Sequence, residues 1–249
     1  MWSDKMKRLL FILILLPLLI GAKIQGVVPV DIHSAIPVKA SGVTIDAGGP
    51  AGGTEIFFAS NSVSTWNTVY HEVQEGTWAT VRGAATGVGI NNSHYSGAEY
   101  LYDWGDGLWT IISREFVRFD VSAIPTGATV TDVVFKYKTH ASTAPIGSPK
   151  LAIMQGTQGD TLEAADFDAF TGSSFGQTAT ITTTNTVYEV TFNAGGISYI
   201  QGLVDGQYAY FSMREYDHDY LNASPSSGAR HQASFGPNVP ELHVTYTLP

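Results

Sequence analysis

The chain has 249 residues, 44% of them hydrophobic and 14% charged, with a formal net charge of −9 and no cysteine. These values exclude a disordered chain, a disulfide-stapled miniprotein and a lipid-modified cysteine anchor. An acidic balance also excludes a general nucleic-acid binder, because the phosphate backbone needs neutralising cations.

The N-terminus carries Lys5, Lys7 and Arg8, then a twelve-residue apolar run from Leu9 to Ile20 that is interrupted by Pro17 and followed by Gly21-Ala22. The run is short for a bilayer span and fits the core of a secretory signal. Residues 1–22 are expected to be a signal peptide cut after Ala22, which places the protein outside the cell or at its surface with no stable membrane insertion. Cutting there removes three cations and one acid, so the mature charge becomes −11. Residues 23–53 form a lead-in strand or linker ending in "DAGGPAGG". No repeat of fixed period follows, which argues against a solenoid or propeller.

From Thr54 to Pro249 alternation of apolar and polar residues dominates, as in half-buried strands. Strands are expected near "EIFFA", "TWNTVYHE", "TWATVRG", "WTIISREFVRFDV", "KLAIMQ" and "TATITT". In "TVTDVVFKYKTH" Val133, Phe135 and Tyr137 share one face, while Val134, Lys136 and Lys138 share the other. "VYEVTFN" groups Tyr188, Val190 and Phe192. "QYAYFSMRE" separates Ala209, Phe211 and Met213 from Tyr208, Tyr210 and Arg214. "ELHVTYTLP" points Leu242, Val244, Tyr246 and Leu248 inward. Two helical pieces are expected, one in "TLEAADFDAF" behind Thr161 and one in "NAGGISYIQGLV", where Ile197, Ile200 and Leu203 keep helical spacing. The fold class is therefore all-β: a two-sheet antiparallel β-sandwich of jelly-roll type with one or two short helices.

"REFVRFDVSAIPTGATVTDVVFKYKT" resembles the central motif of the DNRLRE family of β-sandwich domains. The matching positions are Arg118-Phe119-Asp120, then Ser122-Ala123-Ile124-Pro125, then Gly127-Ala128-Thr129. The tail from "GQYAYFSMREYDHDYLN" to "VPELHVTYT" is similar to the last two strands of that family, and "EAADFDAFTG" is similar to a helical insertion of related secreted proteins. The resemblance covers roughly residues 54–249; the Asp-Asn-Arg opening that names the family has no counterpart here. It implies a mostly non-catalytic role. Some members resemble carbohydrate-binding modules, including those for acidic polysaccharides such as alginate, and others belong to surface and adhesion proteins.

Three constellations carry candidate chemistry. "YLYDWGDGLW" places Tyr102, Asp103, Trp104 and Asp106 around Gly105 and Gly107. Rings beside carboxylates suit a sugar, whose CH face packs on an aromatic while acids take its hydroxyls. The plainer alternative makes Trp109 and Leu101 core, with Trp104 covering a sandwich end. Lys136 and Lys138 are the best outward cationic pair for a uronate polymer, with Arg114 or Arg118 nearby. Asp217, Asp219 and Asn222 are closely spaced oxygen donors of the kind Ca²⁺ prefers, although the spacing is not an EF-hand. Tyr216, His218 and Arg214 have the residue types of a polysaccharide lyase, but the chain has no HExxH, GxSxG or phosphate loop. Asn91 and Asn222 stand in N-glycosylation triplets. The leading expectation is a secreted or surface-displayed, non-catalytic glycan-binding module. A structural or adhesive subunit, self-associating through an unpaired edge strand, is the alternative, with a lyase behind it.

Overall fold

The alternating segments fold as strands whose apolar faces close on each other. The computed structural model describes residues 52–59, 66–91, 94–103, 105–204, 207–235 and 238–249. The expected signal peptide lies outside these residues, as does the lead-in up to residue 51. The described strands are β1 (Gly52–Phe58), β2 (Asn67–Gln74), β3 (Gly89–Asn91), β4 (Tyr95–Asp103), β5 (Leu108–Asp120), β6 (Thr129–Lys138), β7 (Leu151–Gly156), β8 (Phe170–Gln177), β9 (Val187–Thr191), β10 (Tyr208–Glu215), β11 (Ala229–Ser234) and β12 (Glu241–Thr247). Between them lie helices α1 (Trp78–Arg82) and α2 (Ala194–Gln201), a 3-10 turn (Ala164–Asp168) and a π-helical turn (Tyr216–Tyr220).

The protein is an all-β sandwich of two antiparallel sheets. A four-stranded sheet runs β1-β12-β6-β9, and an eight-stranded sheet runs β11-β4-β5-β10-β7-β8, with β2 and β3 joined to it along β5. The inter-sheet core is built from the residues that alternation points inward: Val133, Phe135 and Tyr137 on β6, Ala209, Phe211 and Met213 on β10, and Leu242, Val244 and Tyr246 on β12. Phe119 sits at its centre, edge-on to Phe135 and Phe211 at 5.8 Å each. Burying such a side chain stabilises by about 1.5–3 kcal/mol. After Phe119, Asp120 turns outward and accepts a hydrogen bond from the Ser122 amide at 3.0 Å, which fixes the Ser-Ala-Ile-Pro turn.

β5 organises the larger sheet. β2 pairs along its residues 109–116, so β4, which pairs with 108–113, and β10, which pairs with 115–120, must share the opposite edge. The two strands part there. The Ser96 hydroxyl stands in the fork, 3.2 Å from the Ser113 carbonyl and 3.0 Å from that of Met213. The other face of β5 is also covered: Ile112 and Phe116 pack with Val69, Ala98, Trp78, Val81, Leu162 and Phe167. This second layer explains why β5 is buried almost continuously along its middle.

Local chemistry overrides the sequence expectation at several points. "TWATVRG" is not a strand but α1: the Thr77 side chain accepts from the Thr80 amide as an N-cap, and Trp78 and Val81 face the second layer one turn apart. "TATITT" is not a strand either. Ile181 is buried, but its amide donates to the Pro149 carbonyl rather than to a ladder. The strand lies just before it, in the Gly- and Ser-rich β8, whose low β-propensity hid it. Arg214 leaves the inter-sheet core as alternation requires, yet the second layer buries it on the far face.

Candidate functional site

The aromatic stretch is a hairpin. β4 enters it and β5 leaves it, with Asp103 paired to Leu108. The aspartates serve the turn: Asp103 accepts from the Gly105 amide at 2.7 Å, and Asp106 accepts from the Trp109 indole N–H at 3.1 Å. Gly105 and Gly107 have φ of +87° and +140°, values that L side chains rarely adopt. At Gly107 a Cβ would also strike the Gln74 amide, whose nitrogen donates to the Asp106 carbonyl at 3.2 Å. Trp104 lies outside the described residues.

A bulge makes this hairpin part of a site. Glu99 pairs with Ile111 but Tyr102 pairs with Trp109, so β4 carries one extra residue. Leu101 takes φ of +45° there. The extra residue restores Tyr102 to the face of Glu99. The groove face can then be followed rung by rung from the strand register. Gln74, Trp109 and Tyr102 form one rung; Glu72, Ile111, Glu99 and Arg230 the next; Tyr70, Ser113, Gly97 and Gln232 the third. This is the face that carries Val117 and Phe119 into the core farther along β5. On the half of the strand nearer the hairpin it is open among the described residues. Ser113 and Gly97 leave little bulk in the third rung, with Tyr70 and Gln232 beside them.

The result is an open groove of about 560 Å³ lined by Tyr70, Tyr95, Trp109 and Ile111 together with Glu72, Glu99, Asp106, Asn91, Arg230 and Gln232. Its volume falls in the range of small-ligand clefts, roughly 300–1,000 Å³. The floor is preorganised. The Arg230 Nε donates to Glu99 at 3.1 Å, its Nη2 donates to Gln232 at 2.8 Å, and its guanidinium lies 5.5 Å from the Tyr102 ring centre. The Asn91 amide donates to the Tyr95 hydroxyl at 3.1 Å, and burial raises that phenol above its ordinary pKa. The arrangement offers ring faces and fixed polar groups along one trough.

The other candidate residues stand elsewhere. Asp106 lines the groove, Tyr102 stands on the rung of Trp109 beside it, and Asp103 is exposed. Lys136 and Lys138 lie on the outer face of the four-stranded sheet, so the structure does not bring them together with the hairpin. They line a separate depression of about 510 Å³ with Glu189 and Glu241, and Lys136 is 2.7 Å from Glu189. Two acids thus offset the two lysines.

Asp217, Asp219 and Asn222 do not converge. Asp219 is fully buried, and each of its carboxylate oxygens accepts from both Arg114 and Arg214 at 2.8–3.0 Å. Burial alone would raise this carboxyl, but the two guanidiniums prevail and hold it far below the ordinary carboxylate range. Asp217 pairs with Lys150 at 2.9 Å. Asn222 is exposed with φ of +58°. Among the described residues no group of three or more His, Asp and Glu is placed to hold a metal ion. Glu215 caps the π-helical turn, accepting from the amides of Asp217, His218 and Asp219. Arg214 faces Asp219 in the interior and so does not stand beside Tyr216 and His218 as a uronate-neutralising cation. Arg114 is buried in the same cluster, with its guanidinium 4.0 Å above the Phe167 ring. Arg118 stacks on Tyr208 at 4.3 Å and pairs with Asp160 at 2.9 Å.

The sequence alone missed Trp109 as a groove residue, along with Tyr70, Glu72, Glu99 and Arg230. Period-two counting along β5 puts Trp109 on the Phe119 face. No local signal says where along β5 the opposing sheet stops covering that face. Comparison of the chain with protein-family models finds no matching family, and comparison with curated proteins finds no match. What the site can do follows from its own geometry.

Proposed function

We propose that the protein is a secreted or surface-displayed, non-catalytic carbohydrate-binding β-sandwich of the DNRLRE kind, which receives a glycan along the groove of its larger sheet. One observation carries this reading: Trp109 and Tyr102 form an aromatic rung directly beside the polar rung of Glu72, Glu99 and Arg230, on the uncovered half of a rigid sheet. Rings for the CH faces of a sugar and fixed acceptors and donors for its hydroxyls are what a sugar site needs. The N-terminal signal supports export. Titration of soluble oligosaccharides against tryptophan fluorescence tests the assignment. Trp109→Ala should weaken binding by about 2 kcal/mol or more, roughly thirtyfold in Kd. Wild-type protein that responds to no glycan, or a variant that binds as well as wild type, would remove the groove as a glycan site.

The structural or adhesive alternative has its own support. β1 is an edge strand of the smaller sheet, and it exposes Ile56 (41%) and Phe58 (51%) on its outer face. Edge strands with apolar faces template pairing between copies. Sedimentation of the wild type and of Phe58→Lys would distinguish this role, because only self-association through β1 predicts a loss of mass in the variant.

A further inference from the structure

The charges of the groove select among glycans, an inference that rests on the groove being a glycan site. The lining holds three acids, Glu72, Glu99 and Asp106, against one cation, Arg230. That cation is already turned to Glu99 at 3.1 Å. Glu72 pairs with no cation among the described residues. Both Glu72 and Glu99 pair with Ile111 from opposite edges, so their backbones stand roughly 10 Å apart, two strand spacings. Trp109 is the next residue on that face of β5, roughly 7 Å along the strand. A sugar ring lying on Trp109 would therefore hold its substituents close to Glu72.

An anionic sugar meets repulsion here from the lining acids and from a chain of formal charge −9. A neutral sugar offers Glu72 a hydroxyl. A protonated amine offers it a charge-assisted hydrogen bond, roughly twice as strong as a neutral one. We infer that the groove takes glycan chains bearing free primary amines, namely deacetylated hexosamine oligomers, with a sugar face on Trp109 and an ammonium at Glu72, and that it rejects uronates.

Calorimetry tests this with three oligosaccharides of equal length: a deacetylated hexosamine oligomer, its N-acetylated counterpart and an oligouronate. The buffer is acidic enough to keep the amines protonated, at physiological salt. The deacetylated oligomer should bind at least tenfold more tightly than the acetylated one, and the oligouronate should not bind. Glu72→Gln should abolish the tenfold preference, weakening the deacetylated oligomer at least tenfold more than the acetylated one. Trp109→Ala, which leaves the net charge unchanged, should weaken both, and Trp109→Phe should restore most of the loss if the alanine variant melts early. Equal binding of acetylated and deacetylated oligomers, abolished by Trp109→Ala, would overturn the amine preference and leave the groove as a glycan site. Binding of the deacetylated oligomer that survives both tryptophan substitutions and disappears with added salt would be adhesion of a polycation to an acidic surface, and would overturn it too. Absence of binding by all three oligomers and by neutral glucans would overturn both readings.

Discussion

Replacing Asp219 by Asn should cost the fold several kcal/mol, because this carboxylate neutralises two guanidiniums inside the second layer. Arg114 is 1% exposed, Arg214 4% and Asp219 not at all. The four bonds from these arginines to the Asp219 carboxylate measure 2.8, 2.8, 2.9 and 3.0 Å. Asparagine keeps one acceptor oxygen and turns an NH₂ donor towards N–H donors. It also removes the buried carboxylate charge that both cations share, leaving Arg114, among the described residues, only the exposed Asp168 at 3.8 Å. Removing one partner of a buried ion pair costs about 3–5 kcal/mol. For a domain of this size each kcal/mol lowers Tm by about 2–4 °C, so a drop of roughly 6–20 °C is expected by calorimetry. Arg214→Met should cost less, since Asp219 then keeps Arg114. The pH dependence has a definite sign. The folded carboxyl titrates below the unfolded value of about 3.9, so its stabilisation is full at neutral pH. It is lost as pH falls below that value and through the folded one. Wild type and Asp219→Asn should therefore converge in acid. An Asp219→Asn protein within about 1 kcal/mol of wild type at neutral pH would mean that solvent reaches the arginines, and the buried-pair reasoning would be wrong.

Three further outcomes follow. Phe119→Ala should destabilise by about 3–5 kcal/mol, because the ring is fully buried among Phe135 and Phe211; an unchanged urea midpoint would displace it from the core. Burial raises the Glu115 carboxyl, and its contacts to His94 and Thr68 only partly offset that. Its contribution is therefore favourable below the unfolded value of about 4.3 and declines as pH rises through the folded one. Glu115→Gln should be neutral or stabilising at neutral pH and flatten that slope, and a variant less stable at every pH would contradict the sign. Lys136→Ala with Lys138→Ala should leave glycan affinity unchanged, since the pair lies on the other sheet; a marked loss would move the site there.

Local pattern made the strands readable wherever one face was core and the other water. β12 alternates without error, and Val133, Phe135 and Tyr137 on β6 and Ala209, Phe211 and Met213 on β10 keep the same period, because these inward positions meet the opposing sheet. The pattern failed where a second layer intervened. Arg214 obeys the alternation of β10 and is still buried, because Phe170 and the π-helical turn cover it; its guanidinium lies 4.1 Å from the Phe170 ring. "TWATVRG" has strand-like composition, and only the Thr77 cap and the one-turn spacing of Trp78 and Val81 mark it as α1. The closely spaced oxygens of the tail suggested a cation, but chain proximity says nothing about direction, and Asp219 points inward to two arginines.

Composition and alternation by themselves determined an all-β sandwich and the inward residues of its long strands. Each depends on neighbours in sequence, where backbone period and turn chemistry act. Only the tertiary structure decided that Trp109 faces a groove, that Tyr102 shares its rung through the bulge at Leu101, and that Glu72 flanks Ile111 on one side with Glu99 and Arg230 on the other. Those residues come from strands far apart in the chain. Their meeting depends on sheet order, on register and on where the smaller sheet stops covering β5, and none of these leaves a mark on the residues nearby in sequence.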